Sequence, residues 1–469
     1  MMYLANSATR RRLRRAAVTA LVGALAAVAG CDVSDALDVR DPDIINPDDV
    51  QSAAGAEGVR LGAIARLNAA TSGVESYFLL GGLMADEWNN GDTFIERQTI
   101  DQRNVPLPAF NTFLTTANRN AHRARLAAEL AVGLLQEFSP TGPAWKPAEM
   151  YFVQAYTVNM LAEHHCNGLV FSTVIDGVEQ FGTPVTTQKA FERALANADS
   201  GLALITGSTT DDVRVRNALS VTKGRILVNL GRYADAATAV ATVPTSFRYR
   251  MFHSQTTNDN QMWAFNVSAR RYSVSNNEGG TGLNFATAAD PRLPICQGGD
   301  AACRAIGVTQ TRRDDNTSLP LYIQMLWPAR DSSVTIVSGI EARLIEAEAK
   351  VATDAPGALT ILNNLRAATG TGSGGVSGLT PLTDAGSTAA RVDQLFRERA
   401  FWLFSRGHRL GDLRRLVRQY NRTPNTVYPN GTWHKGGTYG ADLNFTLPEA
   451  ERNNANTPQT GDLCIDRNA

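Results

Sequence analysis

Apolar residues recur at three- and four-residue steps along most of the chain, the spacing that places them on one face of an α-helix. Phe191, Leu195, Ala198, Leu202 and Ile205 step by 4, 3, 4 and 3. Similar stretches predict helices from Asn46 to about Ala69, from about Asn111 to Glu137 and from Pro147 to Cys166. Asn46-Pro47-Asp48-Asp49 is a start signal, with an N-cap, a proline at the first helical position and acids at the positive end of the dipole. From Leu219 to Pro244 the pattern closes into a helical hairpin, with Gly224 and Ala236 as the small residues of its contact and Leu230-Gly231-Arg232-Tyr233 as the turn. A second hairpin runs from Arg343 to Ala368, turning at Asp354-Ala355-Pro356-Gly357. A single hairpin cannot bury its apolar face, so several must stack. The expected fold is mainly α, with tetratricopeptide-like repeat hairpins at about 111–244 and 338–420.

The period breaks at 86–108, 245–335, 370–390 and 421–447, stretches rich in Asn, Thr, Gly, Arg and aromatics. Long irregular segments inside a compact domain usually carry function. Sugars present apolar faces and hydroxyls, and peptides present amides, so ligand contact calls for aromatic rings and planar polar groups. Two stretches offer them: Trp88-Asn89-Asn90 with Phe94, and Trp263 with Arg270, Arg271 and Tyr272. Core packing is the competing expectation for Trp88 and Trp263. Gly279-Gly280-Thr281-Gly282 lacks the Lys and the preceding strand of a phosphate loop and reads as a flexible turn.

The first 30 residues change the picture. Arg10, Arg11, Arg12, Arg14 and Arg15 precede Ala16–Gly30, a run of small and apolar residues too short to span a bilayer but of secretory length. It ends Val28-Ala29-Gly30-Cys31, a bacterial lipobox, so residues 1–30 read as a lipoprotein signal peptide and Cys31 as the acylated first residue of the mature domain, 31–469. The whole chain carries 45 basic and 45 acidic side chains; without those five arginines the balance is 40 against 45, which argues against a nucleic-acid binder. Four cysteines remain in an exported chain, allowing three pairings. The polar stretch between Cys296 and Cys303 favours a local bridge, which leaves Cys166 with Cys464.

No catalytic, cofactor or metal constellation stands at a recognised spacing: there is no HExxH, GxSxG or CxxC. The adjacent His164 and His165 cannot both face one site on a helix. Asp86-Glu87 reads as solvated surface, and Asp38, Asp41 and Asp43 as a solvated linker rather than a calcium loop.

The segment from Phe396 to Arg415 contains Glu398-Arg399, Gly407-His408-Arg409 and Asp412-Leu413-Arg414-Arg415. It resembles the signature of the SusD/RagB family of outer-membrane nutrient-binding lipoproteins. Asp290-Pro291-Arg292, the Arg343–Glu348 and Leu362–Ala367 hairpin pieces, and Leu447-Pro448-Glu449-Ala450-Glu451-Arg452 are similar to that family's further motifs, in the same order. Arg406 departs, standing where the family usually has Glu. The resemblance implies a non-catalytic protein without cofactor, lipid-anchored at the outer face of the outer membrane. Such a protein captures oligosaccharide or peptide for a SusC-like TonB-dependent transporter. A lipid-anchored scaffold without small-ligand binding is the alternative. The charged residues of the signature, and His408, are expected to fix helix packing rather than touch ligand.

Overall fold

The computed structural model describes residues 50–107, 109–175, 178–315, 317–367, 376 and 379–467. The signal peptide, the lipobox with Cys31, the Asp38–Asp43 linker and the Asn46–Asp49 helix start lie outside the described residues.

The helices that the period predicts are present. α1 (Ala53–Ser72) starts later than the expected Asn46, because the Ser52 side chain caps it, accepting from the Gly55 backbone at 3.0 Å. α2 (Tyr77–Met84) is short and buried throughout, and α3 (Ile95–Asp101) lies inside the first stretch read as irregular, after β1 (Trp88–Asn90). α4 (Thr112–Phe138) is capped by Asn111 and packs along α1. A stripe of Ala117, Ala121, Ala124, Ala128 and Ala131 faces Ala56, Val59, Ala63, Leu67 and Ala70, all buried. Small side chains at this spacing let two helix axes approach closely.

α5 (Trp145–His164) packs on both α4 and α6 (Thr187–Leu204), and the ribbon of β2 (Thr173–Ile175) and β3 (Val178–Gln180) lies between α5 and α6 in the chain. α7 (Thr210–Asn229) opens with a capping box of Thr209 and Asp212 and pairs with α8 (Tyr233–Val240). The glycine of that contact is required: a Cβ on Gly224 would sit 2.5 Å from the Val240 Cγ1.

β4 (Arg248–Met251) runs antiparallel to the later β8 (Val334–Ser338), Arg248 facing Ser338. Between them lie β5 (Tyr272–Val274), β6 (Ile295–Gln297), α9 (Ala301–Ala305) and β7 (Tyr322–Gln324). The second hairpin is α10 (Gly339–Lys350) and α11 (Ala355–Ala367); α10 also packs on α8, which joins the two hairpins. Its turn, 351–354, lies three residues earlier than expected, because Asp354 accepts from the Gly357 backbone at 3.0 Å and so starts the helix itself. α12 (Thr388–Trp402), α13 (Arg409–Arg418) and α14 (Pro424–Val427) complete the order. The protein is mainly α, and among the described residues no helix is long and apolar enough to cross a membrane.

The signature residues form a buried charge network, the place sequence reasoning assigns them. Arg292 holds Asp290 and Glu398, and Arg366 reaches the other oxygen of Glu398 at 2.7 Å. Arg399 and Arg415 share Asp412, at 2.8 Å each, and Arg415 also pairs with Glu348. Arg414 donates to the carbonyls of Ala162, Glu163 and His165 at 2.8–2.9 Å, closing the C-terminus of α5. His408 Nε2 lies 3.0 Å from Glu341 Oε1. Asp86-Glu87 corrects the expectation of a solvated pair: both are buried, because Arg409 and the Ser405 backbone supply their partners.

Cys166 is bonded to Cys464 and Cys296 to Cys303, with Cα–Cα distances of 5.8 and 5.5 Å. The first ties the C-terminal tail to the end of α5. The second is packed in an apolar cluster with Val267, Val308, Leu321 and Ile323.

Candidate functional site

The first and second irregular stretches meet as a ribbon. β1 pairs with β5 antiparallel, Trp88 opposite Val274, Asn89 opposite Ser273 and Asn90 opposite Tyr272. All four predicted contacts on this ribbon are interior. Trp88 and Tyr272 are 0% exposed, and so are Asn89 and Asn90. Trp88 donates its indole N–H to the Ser405 hydroxyl at 2.8 Å and packs against Phe404; the Tyr272 hydroxyl donates to Glu75 at 3.2 Å. This corrects the expectation that these side chains present a face to ligand. Strand pairing directs both faces of the ribbon into packed protein, which residue type alone does not reveal.

The other three predicted contacts reach the surface at separate places. Phe94 is 46% exposed beside Phe113 and the guanidinium of Arg271. Arg270 has positive φ and donates to the Ser268 carbonyl at 2.6 Å. Trp263 opens a π-helical turn, Trp263–Ser268, and is partly buried against the Cys296–Cys303 cluster.

A polar cleft of about 500 Å³ lies in front of the ribbon, lined chiefly by Asn276, Asn277, Arg313, Tyr322, Thr432 and His434, with the Gly279-Gly280 turn as one wall. The turn is held where it is by glycine: φ at Gly279 is +60°, and a Cβ there would lie 2.1 Å from the Asn430 carbonyl oxygen. Asn277 also takes the left-handed conformation.

The wall is braced from behind. Asn89 donates to Glu278 Oε1 at 2.5 Å and the Tyr439 hydroxyl donates to Glu278 Oε2 at 2.8 Å. Burial, with Glu278 beside it, pushes the Tyr439 hydroxyl well up, so it stays a donor. Asp101 gathers the other side, accepting from the Asn90 backbone at 3.2 Å, from the Trp433 indole at 3.1 Å and from His434 Nε2 at 2.6 Å. Arg313 donates to His434 Nδ1 at 3.1 Å, which assigns the His434 ring proton to Nε2. Burial also pulls the Arg313 guanidinium down from its ordinary value.

Asn89 and Asn90 therefore position the cleft from behind rather than line it. Sequence reasoning missed Asn276, Asn277, Arg313, Tyr322, Thr432 and His434. They come from three separate loops, and the signal that could have found them is the same one used for Trp88: planar amides and aromatics in the irregular stretches.

The cleft offers amides, a hydroxyl, a guanidinium and an aromatic ring around a polar floor, a lining suited to a hydroxylated or amide-rich ligand.

No family model matches the chain, and no curated protein matches it. Solved structures do. The chain is similar to a SusD superfamily protein from Parabacteroides distasonis at 14% identity and TM-score 0.62, covering 86% of this chain and 98% of that one. A SusD homolog from Bacteroides thetaiotaomicron matches at 13% identity and TM-score 0.62, over 90% and 98%. A SusD-like carbohydrate-binding protein from Bacteroides fragilis matches at 14% identity and TM-score 0.61, over 87% and 99%. The fold is that of the SusD superfamily.

Proposed function

We propose that the protein is a lipid-anchored, cell-surface nutrient-binding protein that captures oligosaccharide or peptide in the cleft beside Tyr322 and passes it to a TonB-dependent outer-membrane transporter. The observation that carries the reading is the cleft itself: amides, a guanidinium and a ring converge from three loops on a frame built by buried hydrogen bonds. Such a frame keeps polar groups oriented before ligand arrives, which lowers the entropy lost on binding. The SusD-like fold, the description of the Bacteroides fragilis relative as carbohydrate-binding, and the lipobox ending at Cys31 support the same reading. We read it as a binder rather than an enzyme: both ring nitrogens of His434 are engaged, by Asp101 and Arg313, and both carboxylate oxygens of Glu278, by Asn89 and Tyr439.

Isothermal titration of the mature protein with neutral oligosaccharides and unstructured peptides tests it. Tyr322→Ala and Asn277→Ala should weaken the ligand that binds by about 5- to 150-fold, the scale of losing one buried side chain. Unchanged affinity in both folded variants would remove the cleft from the capture site.

A further inference from the structure

A second cavity, of about 410 Å³, lies away from the cleft, between one face of α4, the β2–β3 ribbon and the turn Glu449–Asn453. Asn118, His122 and Arg125 line it from α4, three and four residues apart, with the exposed Arg119 beside them. Glu451 lines it from the opposite turn.

Two side chains that are almost wholly buried leave polar atoms unused here. Arg125 is 1% exposed; it donates to Glu129 and to the Ser172 carbonyl, yet its Nε has no partner. Asn118 is 5% exposed and its amide nitrogen makes no close hydrogen bond, the Tyr77 hydroxyl being its neighbour. A buried donor without an acceptor costs free energy that a ligand oxygen can restore.

The cavity is also polarised. At the α4 end Arg125 and the exposed Arg119 stand together, and burial above all pulls the Arg125 guanidinium down to about 10, with Glu129 opposing and Arg193 adding to the pull. At the other end burial alone pushes the Glu451 carboxyl up, with no cation to offset it.

We propose that this cavity is a second binding site, for a small zwitterion of the α-amino acid or dipeptide class, whose carboxylate meets Arg125 and Arg119 and whose ammonium meets Glu451. Each end of such a ligand supplies the charge that its end of the cavity lacks, whereas a neutral saccharide would satisfy the donors and leave the Glu451 carboxylate uncompensated. The site also gives a role to the glutamate of the Leu447–Arg452 motif, whose neighbours Glu449 and Arg452 are occupied with each other. The inference concerns a different cavity from the cleft and does not depend on the capture reading.

Titration of the mature protein with L-alanyl-L-alanine, its N-acetyl form, its C-terminal amide and a neutral disaccharide tests it. The free dipeptide should bind, and blocking either end should weaken binding at least tenfold. Glu451→Gln should cost the free dipeptide as much as N-acetylation does, and the two losses should not add. Arg119→Gln, a surface change that leaves the fold in place, should weaken the free dipeptide and the acetylated form alike. Equal affinity for free and blocked dipeptides, absence of binding at millimolar concentration, or displacement of the dipeptide by the disaccharide would each overturn the proposal.

Discussion

Arg409 holds Asp86 with both ends of its guanidinium, Nε at 2.6 Å from Oδ1 and Nη2 at 2.8 Å from Oδ2, across 323 residues of sequence. Both side chains are buried, and Asp86 also accepts from the Leu283 backbone at 2.8 Å. The pair therefore fixes the start of α13 to the segment that enters β1 and to the loop that follows the Gly279-Gly280 wall.

Removing one partner leaves the other as an uncompensated buried charge. Asp86→Ala or Arg409→Ala should each destabilise by about 3 to 5 kcal/mol, whereas an apolar double replacement should cost less than the two singles combined. Denaturant melts of the three variants check this, and additive losses would show that the two residues act separately.

Glu87 carries a pH dependence of its own. Burial, above all, pushes its carboxyl up from 4.5 to about 8, although the Ser405 backbone donates to it. A folded value above the unfolded one means that folding takes up a proton. The stabilisation is complete below about pH 4.5 and is lost as pH rises through about 8. Glu87→Gln, which imitates the neutral form, should gain on the natural protein between these limits, by at most about 5 kcal/mol. A melting-temperature difference that stays flat from pH 5 to 8 would refute this.

Two buried histidines act in the opposite sense. Burial pulls His164 down to about 4 and His165 to about 3. His165 is neutral between the Thr446 carbonyl at 3.2 Å and the Tyr77 hydroxyl at 2.6 Å. Their folded values lie below the ordinary 6.5, so their contribution is whole above that pH and is lost as pH falls toward 3 to 4. Each should add up to about 1.4 kcal/mol per pH unit to acid destabilisation, and His165→Gln should remove one such contribution from the slope. Stability measured from pH 7.5 to 5 reads it directly.

The two disulfides close very different loops, 298 residues for Cys166–Cys464 and 7 for Cys296–Cys303. Loop-closure entropy makes loss of the first cost about 5 kcal/mol and of the second about 2 to 3 kcal/mol. Cys166→Ser with Cys464→Ser should therefore lower the melting temperature about twice as far as Cys296→Ser with Cys303→Ser.

The anchor proposal rests on the lipobox. Cys31→Ala should abolish labelling by a radioactive fatty acid and release the protein from membranes. Retention in the membrane pellet at high salt would show that something other than an acyl chain holds it.

Much of the architecture is local and was therefore legible in the chain. The 3.6-residue period of α4, α5 and α6 and the Gly224–Ala236 contact depend on neighbours a few residues away, and local spacing encodes them directly. The family motifs were legible too, as was their structural role, since Arg and carboxylate side chains on adjoining helices pair wherever burial removes water. What the sequence could not assign was facing. Trp88, Asn89, Asn90 and Tyr272 have the composition of a binding loop, but only the pairing of β1 with β5, 184 residues apart between Trp88 and Tyr272, turns them inward. The cleft and the Glu451 cavity have the same origin: their walls come from segments distant in the chain, so their charges and orphaned donors exist only once long-range packing has excluded water from around them.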